Sequence, residues 1–139
     1  MRILVTGTFD DLHPGHIFVL EEAMKRVVET SEAHVSAGEL FVIVARDSNV
    51  MRIKGHAPLQ NEDTRKTAIE KLFLDAHVVL GDPENFLKPV LAIKPDLILL
   101  GYDQKLPPDV KEEDLGCEIE RLPAFQPHIH KSSLRRKNQ

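Results

Sequence analysis

A single cysteine, Cys117, leaves this 139-residue chain without an internal disulfide framework, as suits a reducing compartment. It holds no apolar run near the ~20 residues that span a bilayer. Its N-terminus enters an apolar strand without a signal-like basic region or cleavage site, so a cytoplasmic protein with no membrane partner is expected. Basic residues are not in excess: 18 Lys and Arg stand against 22 Asp and Glu, for a net charge of −4 and a pI near 6.0. That balance argues against a general nucleic-acid binder, but small anionic ligands need only a local cluster of positive groups. Repeats, low-complexity segments and linker-like stretches are also missing. One domain over residues 1–139 is expected, long enough for a real core.

What is present is an alternation of short apolar runs with helical patterns. Residues 2–6, 40–45, 77–80, 97–100 and 118–122 read as strands, most of them apolar on both faces. From Pro14 onward Ile17, Leu20, Met24 and Val27 recur at helical spacing, and Pro14 suits a first helical turn. Further helices are expected over 62–72, over 85–93 despite Pro89, and as a short polar helix over 109–115. Residues 30–38 read as a loop or frayed helix end, 48–61 as a loop, and 130–139 as a short helix or loose tail. Strands of this kind alternating with helices predict an α/β fold: a doubly wound, Rossmann-like, parallel five-stranded sheet covered on both sides. Ligands of such sheets bind outside the carboxyl ends of the strands, where strand order reverses. Residues 8–16, Arg46-Asp47 and Gly101-Tyr102-Asp103 each follow a strand and are expected to face one crevice.

The two commonest phosphate cradles, G-x-x-x-x-G-K-[ST] and G-x-G-x-x-G, are absent from that crevice. In their place stand Gly7-Thr8-Phe9-Asp10 and then His13-Pro14-Gly15-His16 opening a helix. The free N–H groups and positive dipole end of a helix start favour an anion. Two imidazoles beside them donate hydrogen bonds to phosphate oxygens, and Gly15 leaves room for a phosphate to approach the backbone. The competing reading is a capping His13 and a packed His16. The coincidence of GTFD, the H-x-G-H spacing and the strand-to-helix junction favours phosphate.

The stretch GTFDDLHPGH resembles the signature of the nucleotidyltransferase superfamily that contains cytidylyltransferases and adenylyltransferases with an H-x-G-H motif. It is more similar still to the archaeal FAD synthetases of that superfamily, through VIVARD at 42–47, IKG at 53–55, PDLILLGYDQ at 95–104 and Arg65. The resemblance covers roughly residues 2–125. It implies that the phosphate of FMN attacks the α-phosphorus of ATP, giving FAD and pyrophosphate, with a divalent cation such as Mg²⁺ assisting and a homodimer as the assembly. An anionic acceptor needs no activated Ser or Cys, so positioning and charge stabilisation suffice. On this resemblance His13 and His16 stabilise the transferring phosphoryl group, Thr8, Phe9, Pro14 and Gly15 line the nucleotide site, and Lys54 meets acceptor or triphosphate charge.

Other positions carry two readings each. Lys54 is equally a solvated lysine, and Arg65 is either a phosphate contact or a helix-surface ion-pair residue. Asp10 is a turn residue or a metal holder. Asp103, beside the freed backbone of Gly101, is placed to accept a hydrogen bond from base or ribose, whereas Tyr102 reads as packing. Phe125 flanks adenine or belongs to the core. Cys117, His128 and His130 lack the usual metal-ligand spacing, so no protein metal site is expected. Ser132 and Ser133, before Arg135 and Arg136, resemble the superfamily's Ser-Ser-x-x-Ile-Arg-like triphosphate element, with a spacing that does not fit cleanly. Ala57 replaces a second lysine often found near the 48–61 loop, and the 30–38 segment is longer than in the relatives. The rival functions are a cytidylyltransferase using CTP and glycerol 3-phosphate, and a nucleotide-binding sensor without turnover.

Overall fold

The computed structural model describes residues 1–33 and 38–125. Strands β1 (Arg2–Gly7), β2 (Glu39–Val44), β3 (His77–Leu80), β4 (Leu97–Leu100) and β5 (Glu118–Arg121) form one sheet in the order β3-β2-β1-β4-β5. Every neighbouring pair is parallel. The chain builds outward from β1 to β3 and then returns to the other side of β1 with β4. The strand order therefore reverses between β1 and β4.

Period-two alternation divides the apolar runs between two cores. Ile3, Val5, Val42, Val44, Leu97 and Leu99 are buried with Leu20, Ala23 and Val27 of α1 (Pro14–Ala33) and Ile69 of α3 (Glu62–Leu72). Leu4, Ile43, Ile98 and Leu100 belong to the opposite face, with Val90 of α4 (Leu87–Ile93) and Leu115. Fully burying one such Leu, Ile or Val contributes roughly 1.5–3 kcal/mol. The two faces together, rather than helix propensity, hold the sheet in this order.

Three boundaries differ from expectation, each for a local reason. The first half of the expected loop over 48–61 is a helix, α2 (Asp47–Lys54). Its start is capped from a distance, because the Asp47 N–H donates to Glu62 Oε1 at 2.9 Å while the Glu62 N–H donates to Asp47 Oδ2 at 3.2 Å. Its end is set by Gly55, left-handed at φ 80°, whose N–H returns to Met51 O. Second, the polar helix expected at 109–115 is only a 3₁₀ turn, Glu112–Leu115, stopped by left-handed Gly116. Third, α4 starts at Leu87, with the Asn85 side chain accepting its N–H at 3.0 Å. Pro89 thus falls in the first turn, where its missing donor is not needed. The 30–38 segment begins as helix, since α1 runs to Ala33; residues 34–37 lie outside the described residues.

Candidate active site

The first turn after β1 is wound tightly. Phe9 and Asp11 both take left-handed backbone, each at φ 54°, a conformation that costs a non-glycine residue of order 1–3 kcal/mol. The Phe9 ring folds back over Gly7, where a Cβ would lie 3.0 Å from its Cε2. Phe9 is almost fully buried, and its ring meets His16 edge-on at 5.7 Å. Asp10 closes the turn against the loop before α3: its two carboxylate oxygens accept the N–H groups of Leu59 at 2.8 Å and Gln60 at 2.9 Å. Burial pushes the Asp10 carboxyl up, but those two donors and the charges of Arg65 and Lys54 outweigh it and hold the group below its usual value. Asp10 is thus the turn residue of the two readings.

At the start of α1 both histidines are set by backbone donors. The Ile17 N–H makes the first helical bond to His13 O. His13 Nδ1 accepts the Gly15 N–H at 3.0 Å, and His16 Nδ1 lies 3.4 Å from the His13 N–H. A neutral imidazole that accepts at Nδ1 carries its proton on Nε2. Each ring therefore has a free Nε2–H donor, and the rings stack at 3.7 Å with 25° between planes. The capping reading of His13 holds through Nδ1, and the phosphate reading is compatible with it because it would use Nε2.

Burial pushes the His16 imidazole below 6.5, helped by the electrostatic effect of neighbouring His13 and Lys54 and opposed by Asp10. As pH falls below 6.5 the unfolded chain takes up this proton before the folded one, so stability contributed by neutral His16 is lost on acidification. His13→Asn and Lys54→Met should each raise the His16 titration midpoint, read from its imidazole Cε1–H resonance. A midpoint unmoved by both would mean that neither group acts on His16 electrostatically.

Lys54 ends α2 as an exposed side chain, and its charge is felt at both His16 and Asp10. Gly101 follows β4, beside the end of β1. Its N–H donates to Gln104 Oε1 at 3.0 Å, while Gln104 Nε2 reaches Thr6 O at 2.8 Å. Arg121 Nη1 braces the same loop through the carbonyls of Gly101 and Gln104. Gln104 and Arg121 thus hold the β4 loop on β1, a role the sequence reading missed. Asp103 is exposed on that loop, and Tyr102 is 57% exposed rather than packed.

Phe125 meets the Phe18 ring at 5.3 Å. With Leu12, Pro14 and Ile17 these rings border a cavity of about 380 Å³ that has His13 at its edge. Arg65 needs correction in both its readings. Its side chain is 0% exposed, so it is no surface ion-pair residue. Each guanidinium nitrogen donates to a protein oxygen: Nε to Gln60 O, Nη1 to Thr8 O and Nη2 to Asp47 Oδ1. It is an internal brace, not an open phosphate contact. Ser132, Ser133, His128 and His130 lie outside the described residues. Cys117 precedes β5, at the end of the sheet away from the histidines, and burial raises its thiol pKa with help from Asp96 and Glu118. No group of three or more His, Cys, Asp or Glu among the described residues is arranged to hold a metal ion.

The crevice thus joins a helix start, two Nε2–H donors and a lysine at the carboxyl ends of β1 and β2, beside the point of strand reversal. A cytidylyltransferase-like family model matches residues 4–129. The chain belongs to the cytidylyltransferase-like family. Among its relatives is the FAD synthase of Aciduliprofundum boonei, 44% identical over 117 residues, which are 84% of this chain and 70% of that protein. The FAD synthase of Methanosphaerula palustris is 37% identical over 139 residues, covering 96% of this chain and 83% of that protein. Among solved structures, a lipopolysaccharide core biosynthesis protein from Thermoplasma volcanium superposes with a TM-score of 0.71 at 33% identity, over 91% of this chain and 98% of that one. The cytidylyltransferase-like fold expected from the H-x-G-H stretch is the one observed.

Proposed function

We propose that this chain is an FMN adenylyltransferase, transferring AMP from ATP to FMN. A phosphate oxygen of FMN attacks the α-phosphorus of ATP, the bond from that phosphorus to the bridging oxygen breaks, and pyrophosphate leaves. The observation that carries the reading is 44% identity to an FAD synthase over most of both chains, joined to paired Nε2–H donors at a helix start. FAD synthase relatives do not favour the cytidylyltransferase and sensor alternatives.

In this reading His13 and His16 donate to phosphoryl oxygens as charge grows on them, and the α1 N-terminus adds the positive end of its dipole and the His16 N–H, the Gly15 N–H being taken by His13. Lys54 meets the acceptor phosphate or the triphosphate as a point charge. Thr8, Phe9, Pro14 and Gly15 form the nucleotide floor, Gly101 and Asp103 face the ribose or base, and Phe125 borders the hollow beside His13. Ser132 and Ser133 remain candidates for triphosphate contact. A divalent cation such as Mg²⁺ would enter bound to the phosphates of ATP, as is common for this hard, strongly hydrated ion.

The assembly proposed is a homodimer, as the family resemblance implies. A cytoplasmic setting fits the single cysteine, and no helix among the described residues is long and apolar enough to cross a membrane. The net charge of −4 fits small-molecule substrates rather than nucleic acid. Purified protein given ATP or CTP, each with FMN or glycerol 3-phosphate, should form product only from ATP and FMN. A CDP-linked product would keep the fold and overturn the substrates.

A further inference from the structure

Arg65 is a buried cation that takes no part in the making or breaking of bonds in adenylyl transfer. It lies on the first turn of α3, 0% exposed, with Asp47 as its charge partner at 2.6 Å. Burying a guanidinium is costly even when paired, and well-packed apolar residues often replace such pairs without loss of stability. What an apolar residue cannot supply is a directed bond to a particular carbonyl. Here that carbonyl is Thr8 O, 2.7 Å from Nη1, immediately before left-handed Phe9.

We propose that Arg65 is a positioning residue for adenylyl transfer, holding the turn at residues 8–11 so that His16 meets the reacting phosphate, without touching either substrate. The inference rests on the adenylyltransferase reading. Its path is short and continuous. Arg65 holds Thr8 O and, through Nε, Gln60 O at 3.0 Å. The Gln60 N–H holds Asp10, which clamps the other side of the same turn. Between these two clamps Phe9 is kept left-handed, and its ring lies over Gly7 and against His16. Strained backbone of this kind persists only where its surroundings over-determine it. Arg65 and Asp10 supply that restraint from two sides.

Asp47, the anchor of Arg65, is itself tied into the starts of two helices through Glu62. Arg65 therefore links the segment after β2 to the turn after β1, the two edges of the crevice. Lysine keeps the charge but has no planar fork, and it cannot satisfy three separated acceptors at once.

The test compares wild type with Arg65→Lys in steady-state turnover of ATP and FMN, with folding followed by thermal melting. The expected result is a kcat about 100-fold lower in folded variant, with KM for ATP within about threefold, since an ångström-scale misplacement costs about that much. Guanidinium ion added to Arg65→Ala should restore activity, whereas ammonium should not. A lowered melting temperature with kcat unchanged would make Arg65 a purely structural residue and overturn the proposal. Should Arg65→Lys fail to fold, Asp47→Asn releases the same clamp from a partner side chain 40% exposed, and it should show the same split between kcat and KM. Wild type that makes no FAD would sink the activity reading alone. Positioning is then decided by the His16 imidazole resonance and its titration midpoint, which Arg65→Lys should shift and which a remote structural residue would leave unchanged.

Discussion

Replacing His16 by alanine is expected to lower kcat by about 10²–10³-fold, the cost of removing one preorganised donor at a site of developing charge. ATP affinity should change by less than about threefold, because the donor matters most when the phosphoryl oxygens gain charge in the transition state. The geometry explains the asymmetry. His16 Nδ1 faces the His13 backbone N–H, its ring is held between His13 and Phe9, and Nε2 is the nitrogen left over. Fold stability should fall little, since the Gly15 N–H cap is made by His13 and survives. Steady-state kinetics beside equilibrium ATP binding separates the two effects. An unchanged kcat would reduce His16 to a packed helix residue.

Gly15→Ala should be nearly as damaging to turnover while leaving the protein folded. A Cβ at residue 15 would lie 2.8 Å from His13 Cε1, closer than such atoms approach, and a tight 3.1 Å from Nδ1. Backbone does not obstruct the new methyl; an exposed imidazole does, and that ring can swing away at small energetic cost. Moving it breaks the Nδ1 bond to the Gly15 N–H and the stack on His16, so both donors lose their aim. A loss of about 100-fold in kcat is expected for displacement on that scale, with the melting temperature lowered by no more than the loss of one helix cap, about 0.5–2 kcal/mol. Unimpaired turnover would mean that the His13 ring orientation is irrelevant to the reaction.

Much of the fold was legible because a sheet buried on both faces writes itself as apolar runs. Ile3 to Val5 and Leu97 to Leu100 could hardly be anything else, and their alternation with helices implied a parallel sheet, whereas the order β3-β2-β1-β4-β5 depends on long-range pairing that no single run announces. Helix α2 was not legible, because only Val50 of its residues is buried and its N-terminal cap is a carboxylate fifteen residues further on. Arg65 was seen but misread for a similar reason. Two of its acceptors are the backbone carbonyls of Thr8 and Gln60, which no residue type announces. The role of Gln104, quoted within GYDQ, depends on the parallel pairing of β1 with β4 that brings it to Thr6. The geometry of the histidine pair was readable because it is local: cap, glycine and second imidazole lie within four residues.

The most direct measurement follows label from ATP to product. With FMN as acceptor, ATP labelled at the α-phosphorus should pass its label into FAD, and ATP labelled at the γ-phosphorus should pass its label into pyrophosphate. Label from the γ-phosphorus in a flavin, or in free orthophosphate with no FAD formed, would contradict adenylyl transfer at this site.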